Sequence, residues 1–252
     1  MKTVDAVMPH RDYTEYLPET LASLGRQTHP ILQIVIADDG STDEQFAKLM
    51  EIHDNWEHPV TKLHVIRVEQ DDPEKERSMR IPFARNCGYE ALPGKTSDFI
   101  FFPDADDLWN VEYVEKCLEI MEDETIDFVY PNITLYQEGE MKRHLTVPNF
   151  NLERLFRQCY ITCCTMMRTE AFLHAGMWPE NQYKKEYVFW NTIARLGHMG
   201  RRLQGRMFYY HQHAGQRHTQ YTGKVGSPNR IDKHERYNSR MYISKMFNVP
   251  IM

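Results

Sequence analysis

Two groups of carboxylates stand where chemistry could be done. Asp38 and Asp39 follow at once on the apolar run "QIVIA" and lead into Gly40, and Asp104, Asp106 and Asp107 follow on "DFIFF". Short apolar, β-branched runs of this kind read as buried strands, and a glycine beyond one permits a tight turn that brings backbone close to a ligand. For the Asp38–Asp39 pair, capping of the next helix is a simpler use. Three acids at the end of a strand as apolar as "DFIFF" ask for more, because repulsion and desolvation disfavour their charged forms. A divalent cation removes that cost, and hard oxygen donors suit Mg2+ or Mn2+. Such an ion can bridge a diphosphate and stabilise a leaving charge. Asp107 as a cap of the following helix is the plainer alternative for that residue.

The elements around these acids alternate. "TVDAVM" is a short strand that reaches Pro9, and "TEYLPETLASLGRQ" has Leu17, Leu21 and Leu24 at helical spacing. Ser41 or Thr42 can cap a helix through "EQFAKLMEIHDNW". "KLHVIRV" is a third strand, "DDPEKERSM" a charged loop, and "IPFARNCGYEAL" a helix. "VEYVEKCLEIMED" is amphipathic and helical, and "IDFVY" a further strand. This order predicts an α/β fold, Rossmann-like, with a mostly parallel central sheet flanked by helices. Carboxylates at the C-terminal ends of two such strands meet in one crevice, where open α/β sheets bind ligands. After Tyr130 the pattern changes. "NITLYQEGEMKRHLTV" reads as a hairpin turning at Glu138-Gly139. "LERLFRQ", "TEAFLHAG" and "KKEYVFWNTIARLG" read as helices, and "RRLQGRMFYYH" as one strand. We expect one unit in which residues 1–130 form a nucleotide-binding half and residues 131–252 an acceptor-side half with a basic tail.

Composition bounds the rest. With 252 residues, 41% of them hydrophobic and 26% charged, the chain can bury a core and is not globally disordered. The longest apolar runs are too short to span a bilayer, and no apolar signal region precedes Pro9, which predicts a cytoplasmic protein or one at the inner face of a membrane. Five cysteines suit a reducing compartment. The run "CYITCC" invites a zinc reading. However, neighbours such as Cys163 and Cys164 point to opposite faces of a strand, and no second cluster completes four ligands. Small buried apolar residues are the better account. The net charge of −6 is unevenly spread: residues 195–252 carry eleven Lys and Arg against Asp232 and Glu235, a net +9. A basic tail can hold a diphosphate, an anionic membrane or nucleic acid, or it is a solvated surface.

The stretch "VMPHRDYTEYLPETLASLGRQTHPILQIVIADDGSTDEQ" closely resembles the opening of glycosyltransferase family 2, inverting enzymes of the GT-A fold. "FARNCGYEAL" resembles that family's next helix and "FIFFPDADDLW" its aspartate motif. The likeness resumes at "MMRTEAFLHAGMWPE" and "KKEYVFWNTIARLG", and more loosely at "YYHQHAGQRHT". Together these cover most of residues 3–219 in the family's order, which is more specific than any one motif.

The resemblance implies roles residue by residue. Pro9, Asp38 and Asp39 belong to the donor site, with Asp39 accepting from the base N–H. Arg85, and less directly Arg77, lie near the donor nucleotide. Asp104 faces ribose or metal, Asp106 is the metal-binding acid, and Asp107 assists. His213 reaches the diphosphate or metal, with His211 the alternative ligand two residues away. The family's acidic pair before an aromatic helix stands here as Lys185-Glu186, which assigns the catalytic base to Glu186. Asp12 occupies a position where the family usually has Asn. The expected reaction is a single in-line displacement by an acceptor hydroxyl on a nucleotide-sugar, UDP first, with dTDP and GDP open. Mn2+ or Mg2+ is the expected cofactor. The expected acceptor is a glycan or glycolipid; the alternatives are hydroxymethylated DNA, as for phage enzymes, or a binding module without catalysis. A nucleotidyltransferase would need a Gly-rich opening loop, and "VMPHRDYTEYLP" has no glycine.

Overall fold

The computed structural model describes residues 2–69, 77–95, 97–180 and 185–213, with backbone alone at 77–79. In chain order the elements are β1 (Val4–His10), α1 (Leu17–Gly25), β2 (Gln33–Asp38), α2 (Asp43–Asp54), β3 (Lys62–Arg67) and α3 (Arg77–Glu90). Next come β4 (Phe99–Phe101), β5 (Leu108–Trp109), α4 (Tyr113–Ile120), β6 (Phe128–Pro131), β7 (Ile133–Gln137) and β8 (Glu140–Leu145). The last are α5 (Leu152–Arg157), β9 (Met166–Arg168), α6 (Thr169–His174), α7 (Lys185–Arg195), β10 (Gly200–Leu203) and β11 (Phe208–His211). The basic tail beyond residue 213 lies outside the described residues.

Seven strands form the main sheet in the order β10-β6-β9-β4-β1-β2-β3. β1 pairs in parallel with both β2 and β4, so the chain builds outward on one side of β1 and then returns to its other side. That reversal opens a crevice at the carboxyl ends of β2 and β4, the place where open α/β sheets take ligands. Both acidic groups sit there. The mostly parallel sheet is as predicted, with one exception: β9 runs antiparallel between β4 and β6. The sequence reading gave no strand to "MMR", because three residues carry too little periodicity to register.

Local chemistry explains the helix ends. Pro18 opens α1, where a missing N–H costs nothing, and Leu17, Leu21 and Leu24 face the core. Thr42, as expected, caps α2 by accepting from the Gln45 N–H. The charged segment expected to be a loop ends earlier than read: Arg77 to Met79 already belong to α3, since charge alone does not break a helix and Arg and Met favour one. Gly88 lets α3 lie hard against the sheet; a Cβ there would meet Val7 Cγ1 at 2.4 Å and Ala37 Cβ at 3.2 Å.

The second sheet, β5-β11-β7-β8, contains the expected hairpin. Glu138 and Gly139 take φ of 52° and 80°, the left-handed pair that a two-residue hairpin turn requires. The segment "RRLQGRMFYYH" is two strands, not one: Gly205 at φ 83° breaks it, sending β10 to the main sheet and β11 to the small one.

Candidate active site

The turn after β2 is locked by its own side chains. Asp38 is fully buried; it accepts from His10 Nδ1 at 2.9 Å, from the Ser41 hydroxyl, and from the Ser41 N–H at 3.3 Å. Burial alone would raise its pKa, but the hydrogen bonds from His10 and Ser41 outweigh that and hold it below the ordinary carboxylate value. Asp12 joins the same turn at φ 58°, donating its N–H to Ser41 Oγ and accepting from the Thr42 N–H. Asp and Asn both tolerate that conformation, so the departure from the family residue is conservative here. Pro9 sits on β1 opposite Ala37.

Asp39 is answered by a residue the sequence reading passed over. Arg80, 1% exposed in its side chain, forks onto the Asp39 carboxylate: Nε donates at 2.9 and 3.1 Å, and Nη2 at 2.6 Å. Arg80 was legible as one of three arginines on α3, but nothing in spacing alone favoured it over Arg77. The Arg77 side chain lies outside the described residues. Beside Asp39, Gly40, Ser41, Arg67, Val68 and Glu69 line a cleft of about 460 Å³ at the ends of β2 and β3.

Arg85 ties the remaining acids together. Its Nη2 donates to Asp104 Oδ1 at 2.8 Å, its Nη1 lies 3.9 Å from Glu186 Oε1, and its plane covers Trp178 at 4.9 Å. Burial alone would lower its pKa, but Cys163, Asp104 and Glu186 hold the guanidinium above its ordinary value. Glu186 is in the first turn of α7, a helix tied to α5 by Tyr187 Oη donating to the Phe156 carbonyl at 2.5 Å and Asn191 Nδ2 donating to the Leu155 carbonyl at 3.4 Å, with Phe189 stacking on Trp178 at 4.3 Å. Asn86, on α3 next to Arg85, holds the Trp178 backbone through bonds of 2.9 and 3.0 Å. Asp104 and Glu186, far apart in sequence, are thus joined through one buried cation.

The aspartate motif is completed by β11. β5 follows the three acids directly and pairs antiparallel with β11, which carries residues 211–213 back over them. The His211 N–H donates to Asp107 Oδ1 at 3.0 Å, and His213 Nε2 lies 3.0 Å from Asp106 Oδ2. Of the two histidines expected here, His213 brings its ring to the acids, packed on Tyr16 at 4.2 Å, while His211 contributes its backbone. Asp107 is buried, and desolvation, then Asp106 and Asp104, push its pKa well above the ordinary value. Carboxylates and an imidazole are donor types that suit a hard divalent cation, but among the described residues the ligand atoms that gather within 4.8 Å of one another are those of Asp104, Cys163 and Cys164.

The cysteines correct the sequence reading. Cys163 and Cys164 are not on a strand and do not point apart: their sulfurs lie 3.9 Å from each other. The Cys163 thiol donates to Asp104 Oδ2 at 3.4 Å, and the Cys164 thiol faces Asp107 Oδ2 at 3.8 Å. The antiparallel register of β9 on β4 pairs Arg168 with Phe99 and Met167 with Ile100, and the turn before β9 carries the two cysteines beside the acids that follow β4.

A crevice of acids at the switch point of a mostly parallel sheet is where open α/β folds take ligands, and the whole arrangement is similar to that of nucleotide-sugar transferases of the GT-A type. Solved structures agree on the fold. The S. aureus TarS 1-349 structure in complex with UDP-GlcNAc matches with a TM-score of 0.69 at 20% identity, covering 100% of this chain and 68% of that one. The mannosyltransferase PcManGT from Pyrobaculum calidifontis, in complex with GDP-Man and Mn2+, matches at 0.60 and 15% identity, over 82% of this chain and 56% of that one. Residues 5–177 match the family model "Glycosyl transferase family 2", and the chain belongs to that family of enzymes. The UDP-Glc:alpha-D-GlcNAc-diphosphoundecaprenol beta-1,3-glucosyltransferase WfgD of Escherichia coli is 23% identical over 193 residues, 76% of this chain and 70% of that protein. The putative teichuronic acid biosynthesis glycosyltransferase TuaG of Bacillus subtilis is 23% identical over 197 residues, 77% of this chain and 73% of that one. Among the described residues, no helix is long and apolar enough to cross a membrane.

Proposed function

We propose that the protein is an inverting, metal-dependent glycosyltransferase that moves a hexosyl or pentosyl group from a UDP-sugar to a hydroxyl of a glycan or glycolipid. The observation that carries the reading is Arg85, buried between Asp104 on the donor side and Glu186 on the acceptor side. This places the proposed base and the proposed donor carboxylate around one centre, the proximity that a single displacement uses.

Glu186 takes the proton from the acceptor hydroxyl as its oxygen attacks the anomeric carbon. Attack from the face opposite the diphosphate inverts that carbon, and the diphosphate leaves with the bonding electron pair. Asp39, oriented by Arg80, accepts from the base N–H in the cleft beside Gly40; Asp38 and Pro9 shape the turn, and Arg77 is a further candidate, after Arg85, for the basic residue near the donor nucleotide. Mn2+ or Mg2+ would be held by Asp106, Asp107 and His213, and when bound it supplies charge stabilisation of the departing diphosphate. UDP and a lipid-linked glycan are supported by the named activity of WfgD. For modified DNA as acceptor no described residue speaks, since that idea rested on the basic tail.

The test is nucleotide release from a panel of UDP-, dTDP- and GDP-sugars, with Mn2+ or chelator, and with a lipid-diphosphate-linked glycan or hydroxymethylated DNA as acceptor. The expected result is metal-dependent UDP release, accelerated by the lipid-linked acceptor, with an inverted product. No turnover of any donor with any acceptor would overturn the reading.

A further inference from the structure

We propose that Cys163, Cys164 and Asp104 form a second cation site, thiol-based and selective for Zn2+ or Cd2+, on the wall of the same crevice. The three donor atoms all lie within 4.8 Å of one another. Zinc bonded tetrahedrally to sulfur at about 2.3 Å and oxygen at about 2.0 Å needs S···S near 3.8 Å and S···O near 3.5 Å. The sulfurs are 3.9 Å apart, and Cys163 Sγ lies 3.4 Å from Asp104 Oδ2. Two edges of the coordination polyhedron are therefore already at length.

The carboxylate is divided between two uses. Oδ1 of Asp104 accepts from Arg85, and Oδ2 faces the thiols, so a cation can engage Oδ2 while the guanidinium keeps Oδ1. Two thiolates and a carboxylate then balance a dication and one guanidinium in formal charge. Soft sulfur donors favour Zn2+ and Cd2+ over Mn2+ and Mg2+, whereas the oxygen and imidazole donors of Asp106, Asp107 and His213 favour the harder ions. The crevice thus offers adjoining sites of opposite preference, and a cation on the thiols engages Asp104 where the donor would meet it. This last step rests on the proposed donor role of Asp104; the site itself does not.

The experiment is titration of the chelator-stripped full chain with Cd2+, read by the ultraviolet thiolate-to-Cd2+ charge-transfer band, and repeated on Cys163→Ser, Cys164→Ser and a Cys87→Ser/Cys117→Ser/Cys159→Ser variant. The band is expected in the wild type and the triple variant. It is expected to vanish in the two single variants, with affinity down by more than about 10-fold, since even an outer partner of a metal ligand is worth that much. If the serine variants fail to fold, Cys163→Ala with a wild-type circular dichroism spectrum must lose the band. A missing band in the wild type, or one that persists without Cys163 and Cys164, overturns the site. In the Mn2+-supported assay Zn2+ should slow the wild type and spare Cys163→Ser. A band without that inhibition overturns the link to the donor while leaving the site, and the band decides the site even if no donor is turned over.

Discussion

Replacing Arg80 by Met isolates the buried pair it makes with Asp39, the residue proposed to meet the donor base. The Asp39 and Arg80 side chains are 5% and 1% exposed, so solvent screens neither. Removing one partner breaks a buried ion pair, at a cost of about 3–5 kcal/mol. That is a large part of a typical total of about 5–15 kcal/mol. For a chain of this size each kcal/mol lowers Tm by about 2–4 °C, so Arg80→Met should melt about 6–20 °C below the wild type. Adding Asp39→Leu removes the carboxylate as well, and apolar replacement of a buried pair is often neutral or better. The double variant should therefore recover most of the lost stability while still failing to bind UDP by calorimetry. Urea and thermal unfolding followed by circular dichroism measure the first effect. An Arg80→Met protein within about 1 kcal/mol of wild type, or a double variant no more stable than Arg80→Met, would refute the reasoning. A double variant that binds UDP normally would refute the role of Asp39 in the donor site.

Glu186→Gln keeps the shape of the side chain and removes its basicity, so kcat should fall by about 10²–10⁴ while the donor Kd stays within a few-fold; an unchanged kcat would take the base role away. Gly88→Ala forces a methyl into contact with Val7 at 2.4 Å, which should cost about 1–3 kcal/mol, against about 1 kcal/mol of improved helix propensity. A urea midpoint equal to or above the wild type would show that α3 can lift from the sheet freely. Asp38 is held below its ordinary value of 3.8, so its contribution is complete above that pH and is lost as pH falls through the lower folded value. Stability of the wild type should thus decline on that acid limb, and Asp38→Asn should flatten it; an identical slope in both would remove Asp38 from the acid response.

The alternation of apolar runs and amphipathic segments was enough to give the parallel strands β1 to β4, the helices between them and the Glu138-Gly139 hairpin, because each is written in local periodicity and turn chemistry. The acids Asp38, Asp39, Asp104, Asp106 and Asp107 stood out for a similar reason: charge directly after a buried strand is costly and visible in the sequence. Order of motifs then gave the family. What local pattern could not give was partnership. Arg80 was one arginine of three until the fold aimed it at Asp39. "RRLQGRMFYYH" looked like one strand because nothing local says that its halves join different sheets. Cys163 and Cys164 looked like filler because β9, three residues long, is specified by its neighbours β4 and β6 rather than by its own sequence. The turn that leads into it brings the Cys163 thiol to Asp104 and the Cys164 thiol to Asp107. The same holds for Arg85, which touches Asp104 and Glu186 only because Gly88 seats α3 on the sheet and α7 is packed against Trp178. Side chains distant in sequence meet through long-range packing, and that part of the site only the tertiary structure decides.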